Sequence, residues 1–125
     1  MLSDMDAIAT IAVKDTAKAS QFYEHKLGFK RRANMGDELI TYTSGKTIFN
    51  IYRSGFAGTN KATALCWAVG SEFDRVLAAL RSKGVAFEHY NLPGMKREGD
   101  VHTSDGIRVA WFKDPDGNVL NIIDR

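Results

Sequence analysis

The sequence predicts an α+β fold: two βαβββ modules forming a curled mixed sheet around a cleft, with the helices outside. Three observations carry this reading. The order strand, helix, three strands occurs twice along the 125 residues. Each helical stretch stops at a glycine, Gly28 and then Gly84, where a helix C-terminus favours one. The closing strands share a phrase, Phe49-Asn50-Ile51 in the first half and Leu120-Asn121-Ile122 in the second.

The elements follow from local chemistry. Ala7 to Val13 is apolar and β-permissive. Asp15 or Thr16 can cap the next helix, whose apolar positions Ala19, Phe22, Tyr23 and Leu27 recur at helical spacing. Strands are expected over 29–35, 38–43 and 47–52, with Ser44-Gly45-Lys46 turning the chain. A small, polar stretch near 54–62 links module one (about 6–53) to module two (about 63–125) in a single domain. Module two repeats the order: a strand over 63–69, a helix capped by Ser71 with Phe73, Val76, Leu77 and Leu80 on its apolar face, and strands over 85–90, 107–112 and 119–123. Asn91 to Gly99 reads as a polar loop, able to act as a lid over the cleft. Asp114-Pro115-Asp116-Gly117-Asn118 is a tight turn: proline presets φ and glycine supplies a positive one.

Composition bounds the function. The net charge of +2 is mild, and no large basic patch with interleaved aromatics suggests nucleic acid. The densest basic cluster, Lys30-Arg31-Arg32, reads as a solvated strand edge, or more sharply as an anion-binding rim. No apolar run approaches the ~20 residues that span a bilayer. The single cysteine, Cys66, excludes an intrachain disulfide, and the acidic start lacks signal-peptide character. A cytoplasmic protein without nucleic-acid or membrane partners is expected.

The motifs resemble a known family. Val13-x-Asp15, Phe22-Tyr23 and Leu27-Gly28-Phe29, followed by the turn Asp114 to Asn118, are similar to the opening and closing patterns of the glyoxalase / bleomycin-resistance / extradiol-dioxygenase (vicinal oxygen chelate) superfamily. The resemblance runs from about Ala7 to Asp124. It implies a small-molecule cleft and a homodimer. In metal-dependent members, histidine, glutamate or glutamine occupies four cleft positions. The matching residues here are Ile8, Asn50, Ala64 and Asn121. None carries a carboxylate or imidazole, and zinc or iron(II) needs such donors. No metal and no cofactor is expected.

Strand parity sorts the remaining side chains. With Leu65, Trp67 and Val69 facing the helices, Ala64, Cys66 and Ala68 face the cleft. Ile8, Thr10 and Ala12 join them from the first strand. Ile48, Asn50, Tyr52, Val119, Asn121 and Ile123 join from the closing strands. Arg108 and Phe112, sharing a face with Ala110, are also candidates. Asn50 and Asn121 can orient a ligand or only satisfy backbone groups. Cys66 reads as an inert thiol, and Trp67 and Trp111 as core. His25 suits a helix C-terminus, while His89 and His102 can reach the cleft mouth with the 91–105 segment folded over it. Three functions remain open: a metal-independent small-molecule-binding protein, a metal-dependent glyoxalase-like lyase/isomerase or ring-cleaving dioxygenase, and a metal-free enzyme using Cys66 or a histidine. Fold alone does not choose among them.

Overall fold

The computed structural model describes residues 1–125. In the first module, β1 (Ala9–Val13) leads into α1 (Thr16–Ser20), which continues as a wider π-helical stretch, Gln21–Lys26. Asp15 caps α1: its carboxylate accepts from the Lys18 amide at 3.2 Å. Three strands follow: β2 (Lys30–Met35), β3 (Leu39–Ser44) and β4 (Thr47–Arg53). They form a four-stranded sheet in the order β1-β4-β3-β2, with β1 and β4 parallel. The α+β class and the mixed, unclosed sheets agree with the sequence.

The second module starts with β5 (Thr63–Ala68). Its helix enters through a 3-10 turn at Gly70–Glu72, and α2 spans Phe73–Ser82. Ser71 does not cap it, because the 3-10 turn moves the helix start beyond its reach. Then come β6 (Phe87–Glu88), β7 (Lys96–Glu98), β8 (Val101–Ser104), β9 (Ile107–Lys113) and β10 (Val119–Ile123). The sheet order is β5-β10-β9-β8-β7, and β6 pairs with the far end of β9.

Two expectations change here. The strand expected over 85–90 shrinks to two residues, and β8 supplies the partner for the other end of β9. The edge strand of this module is thus interrupted. The stretch between its two parts is not simply a loop, because Lys96–Glu98 pairs with β8. Lys-Arg-Glu has no apolar alternation, so pairing across the Gly99-Asp100 turn, rather than a buried face, makes it a strand.

One hydrophobic cluster serves both modules. It holds Ile11, Val13, Phe22, Tyr23, Phe49 and Ile51 from the first, and Phe73, Leu77, Phe112, Leu120 and Ile122 from the second. Trp67 packs against it, stacked 5.5 Å from Phe29 and 6.4 Å from Phe112. The helix-covered faces of the two sheets therefore meet. A polar knot also joins the modules: the Asp114 carboxylate accepts from the Tyr23 hydroxyl at 2.7 Å, and the Asn118 amide donates to the Ala12 carbonyl at 2.7 Å. No helix is long and apolar enough to cross a membrane.

Candidate functional site

The core occupies one face of each sheet, so the other faces are free to carry a site. On the first sheet, period-2 alternation buries Ile11, Val13, Phe49 and Ile51 and turns Thr10, Ala12, Ile48, Asn50 and Tyr52 to the open face. Thr10 lies directly beside Asn50, and Asn50 is paired on its other side with Thr41. The Thr41 hydroxyl donates to the Asn50 carbonyl oxygen at 2.7 Å. Ile8, just before β1, is 47% exposed, a large apolar surface to leave in water.

On the second sheet, Leu65 and Trp67 pack on the core, so Ala64, Cys66 and Ala68 stand on the open face, all exposed. A register shift at Val119/Leu120 leaves Ala64 as the extra residue of a bulge. Cys66 lies beside Asn121. Partial burial pushes the Cys66 thiol up, away from the reactive thiolate. Asn121 is buried, and its carbonyl oxygen has no hydrogen-bond partner. Trp111 is opposite Asn121 on β9, and so belongs to this face rather than to the core. Its ring meets His102 edge-on at 4.9 Å and Tyr90 at 5.4 Å.

Arg108 and Phe112 are corrected. β9 pairs with β10 so that Phe112 opposes Leu120 and Ala110 opposes Ile122, both core residues. Phe112 is buried in the aromatic cluster, and Arg108 lies on the same helix side. Its guanidinium sits 4.5 Å over the Phe73 ring and donates to the Asp74 carboxylate at 2.9 and 3.2 Å. Neither side chain lines the open face. Parity along β9 is right, but only the register with β10 sets which parity faces inward.

The histidines also separate. His25 is in the last helical turn. His89 is tied at the surface to Asp100, which also receives Arg81 at 2.8 and 3.0 Å. The hydrogen bond from His89, then Arg81, holds the Asp100 carboxyl below its ordinary range. His102, expected near a cleft mouth, is fully buried. Its Nε2 accepts from the Tyr90 amide at 2.9 Å, so that nitrogen must stay unprotonated. Burial lowers its pKa below the ordinary 6.5.

That arrangement predicts a pH dependence. The unfolded chain protonates His102 near its ordinary value, while the folded chain resists. This contribution to stability is intact above about pH 6.5 and declines as the pH falls toward the lower folded value. Denaturant unfolding at pH 7.5 and 5.5 should show the loss. His102→Gln, which keeps an acceptor for Tyr90, should reduce the slope between those pH values; an unchanged slope would remove His102 as its source.

The four residues that the resemblance sets at metal positions fit a transition ion poorly. Ile8 and Ala64 have no donor atoms, and Asn50 and Asn121 are neutral amides. No three His, Cys, Asp or Glu side chains of the chain gather into a possible metal cluster. What the open faces offer is small apolar surface, a few oriented polar atoms and an aromatic corner.

The comparisons with known proteins agree with this architecture. Residues 5–122 match the model of the Glyoxalase/Bleomycin resistance protein/Dioxygenase superfamily. Among solved structures, a bleomycin-binding protein complexed with bleomycin aligns with TM-score 0.73 and 18% identity, covering 96% of this chain and 98% of that one. Lactoylglutathione lyase from Agrobacterium tumefaciens aligns at 0.68 and 15%, covering 95% and 92%. The fosfomycin resistance protein FosX from Listeria monocytogenes aligns at 0.66 and 14%, covering 94% and 90%. No curated protein matches the sequence. At these identities the structural likeness concerns the fold. Matching the family model over most of its length, and carrying two βαβββ modules tied through Tyr23 and Asp114, the chain belongs to the Glyoxalase/Bleomycin resistance protein/Dioxygenase superfamily.

Proposed function

We propose that this chain is a metal-independent small-molecule-binding protein acting as a single-domain homodimer in the cytoplasm. The observation that carries the reading is the side-chain set at the four cleft positions: Ile8, Asn50, Ala64 and Asn121 supply shape and hydrogen bonds but no charge. A buried, unpaired carboxylate there would cost several kcal/mol if it stayed ionised. An amide offers a donor and an acceptor at lower desolvation cost. Asn121, with its buried oxygen lacking a partner, suits a ligand donor group. Thr10, Tyr52 and Cys66 complete the lining, with Arg108 and Phe112 left out. The placement of these residues supports the homodimer. Both helix-covered faces are spent on the shared core, so the open faces are turned away from it. A second copy of the chain completes the cleft.

The protein as purified should hold no stoichiometric zinc, nickel, iron or manganese, and native mass spectrometry should show a dimer, with any co-purified ligand small and organic. Elemental analysis near one metal per chain, resistant to mild chelation, would overturn the metal-independent reading. A monomer in sedimentation at micromolar concentration would remove the dimer. Metal-stimulated turnover of a hemithioacetal would favour the lyase reading instead.

A further inference from the structure

The chain's arginines are almost all engaged. Arg31, Arg53, Arg75, Arg81, Arg108 and Arg125 pair with carboxylates, and Arg97 donates to the Gly99 carbonyl at 2.8 Å. Arg32 alone has neither a carboxylate nor a hydrogen-bond acceptor. Its position is unusual as well. The β2–β3 register passes from Arg31↔Tyr42 to Ala33↔Thr41, so Arg32 is the extra residue of a β-bulge. Arg31 points to the helix side, where it meets Glu24. Arg32 stands on the other side of the strand, beside Ile48 of the open face.

Arg32 lines a cavity of about 400 Å³ with Asp6, Ala7, Ile8, Lys46, Thr47 and Ile48. Lys46, on the β3–β4 hairpin, also lacks an ion-pair partner. Asp6 is the only acid in the lining and pairs with neither cation. Thr47 is committed to its own turn, its hydroxyl donating to Ser44 at 2.8 Å. The remaining wall is apolar: Ile48 from the open face of the first sheet and Ile8, half exposed. Two free cations thus stand beside an uncovered aliphatic surface.

We propose that this cavity binds a small organic monoanion, its carboxylate held by Arg32 and Lys46 and its apolar body laid on Ile8 and Ile48. The proposal rests on the small-molecule-binding reading and supplies the ligand class at this end of the site. The planar guanidinium fork matches a carboxylate in two parallel hydrogen bonds, and lysine adds a point charge. The aliphatic wall selects against small inorganic anions, which gain nothing from it.

The test titrates the full chain with 3-phenylpropionate and with its neutral isostere, 3-phenylpropionamide, by isothermal calorimetry and amide chemical shifts. The acid should bind with shifts centred on Ile8, Arg32, Lys46 and Ile48, and should weaken as salt rises. The amide should bind about tenfold or more weakly, the worth of a charge-assisted pair. Arg32→Gln should abolish that preference, Arg32→Lys should retain part of it, and Lys46→Gln should reduce it severalfold. Lys46→Gln gives an independent reading even with Arg32→Gln unfolded. Equal binding of acid and amide, shifts centred elsewhere, or variants that titrate like the parent would overturn the anion site while leaving small-molecule binding standing. Failure of both probes would overturn this site too; the broader reading then stands or falls on the co-purified ligand.

Discussion

Asp114→Ala is expected to cost about 3–5 kcal/mol of folding stability, the range for breaking a buried hydrogen-bonded charge. The Asp114 carboxylate is 5% exposed and accepts four hydrogen bonds: from the Tyr23 hydroxyl at 2.7 Å, the Asp116 and Asn118 amides at 2.9 Å each, and the Asn118 side chain at 2.8 Å. Truncation leaves the fully buried Tyr23 hydroxyl and the Asp116 and Asn118 amides without their acceptor. It also loosens the junction of the modules, because Tyr23 belongs to the first and Asp114 to the second. Burial, reinforced by the Asp114 carboxylate, drives the Tyr23 pKa far above its ordinary value, so the tyrosine remains a donor at any physiological pH. Tyr23→Phe should be milder, about 1–2 kcal/mol, since the carboxylate keeps three donors. Urea unfolding of the two variants checks the ranking. Asp114→Ala losses below about 1 kcal/mol would show that the knot does not stabilise the fold.

Gly58→Ala should destabilise by about 2–4 kcal/mol, combining backbone strain with a steric clash. Gly58 has φ +75°, a left-handed conformation that L side chains rarely adopt. A Cβ there would stand 2.0 Å from the Asp116 carbonyl oxygen and 3.1 Å from its carbon. Those are backbone atoms of the 114–118 turn, held by the Asp114 network, so they cannot swing away as a flexible side chain would. Gly45→Ala is the control: its φ is +56°, with nothing within 4 Å of the added atom. It carries the backbone strain alone and should cost about 1–2 kcal/mol. Matched melting temperatures for the two variants would show that the linker yields and that the close approach does not matter.

The same contacts mark the limits of reading the chain alone. The cap at Asp15, the stop at Gly28 and the turn at Asp114 are local matters, set within a few residues, and they were legible. So was the sorting of β1, β4 and β5 into two faces, because Ile11, Val13, Phe49, Ile51, Leu65 and Trp67 alternate with smaller or polar residues. The strand β8 was hidden because Val101-His102-Thr103-Ser104 carries a buried histidine where an apolar residue signals a strand. Nor could the charge pattern disclose which arginine is free: Arg31 and Arg32 are neighbours of identical chemistry.

What the sequence determined by itself was the duplicated βαβββ order and the superfamily, since each depends only on residue type and spacing along the chain. What tertiary structure alone decided was orientation across strands. The β9–β10 register sent Arg108 and Phe112 to the helix side and Trp111 to the open face, and the β2–β3 register left Arg32 as the unpaired residue of a bulge. The physical reason is that a β-strand's side chains alternate with period two, so a slip of one residue exchanges every face, and only the hydrogen-bonded neighbour fixes which face is which.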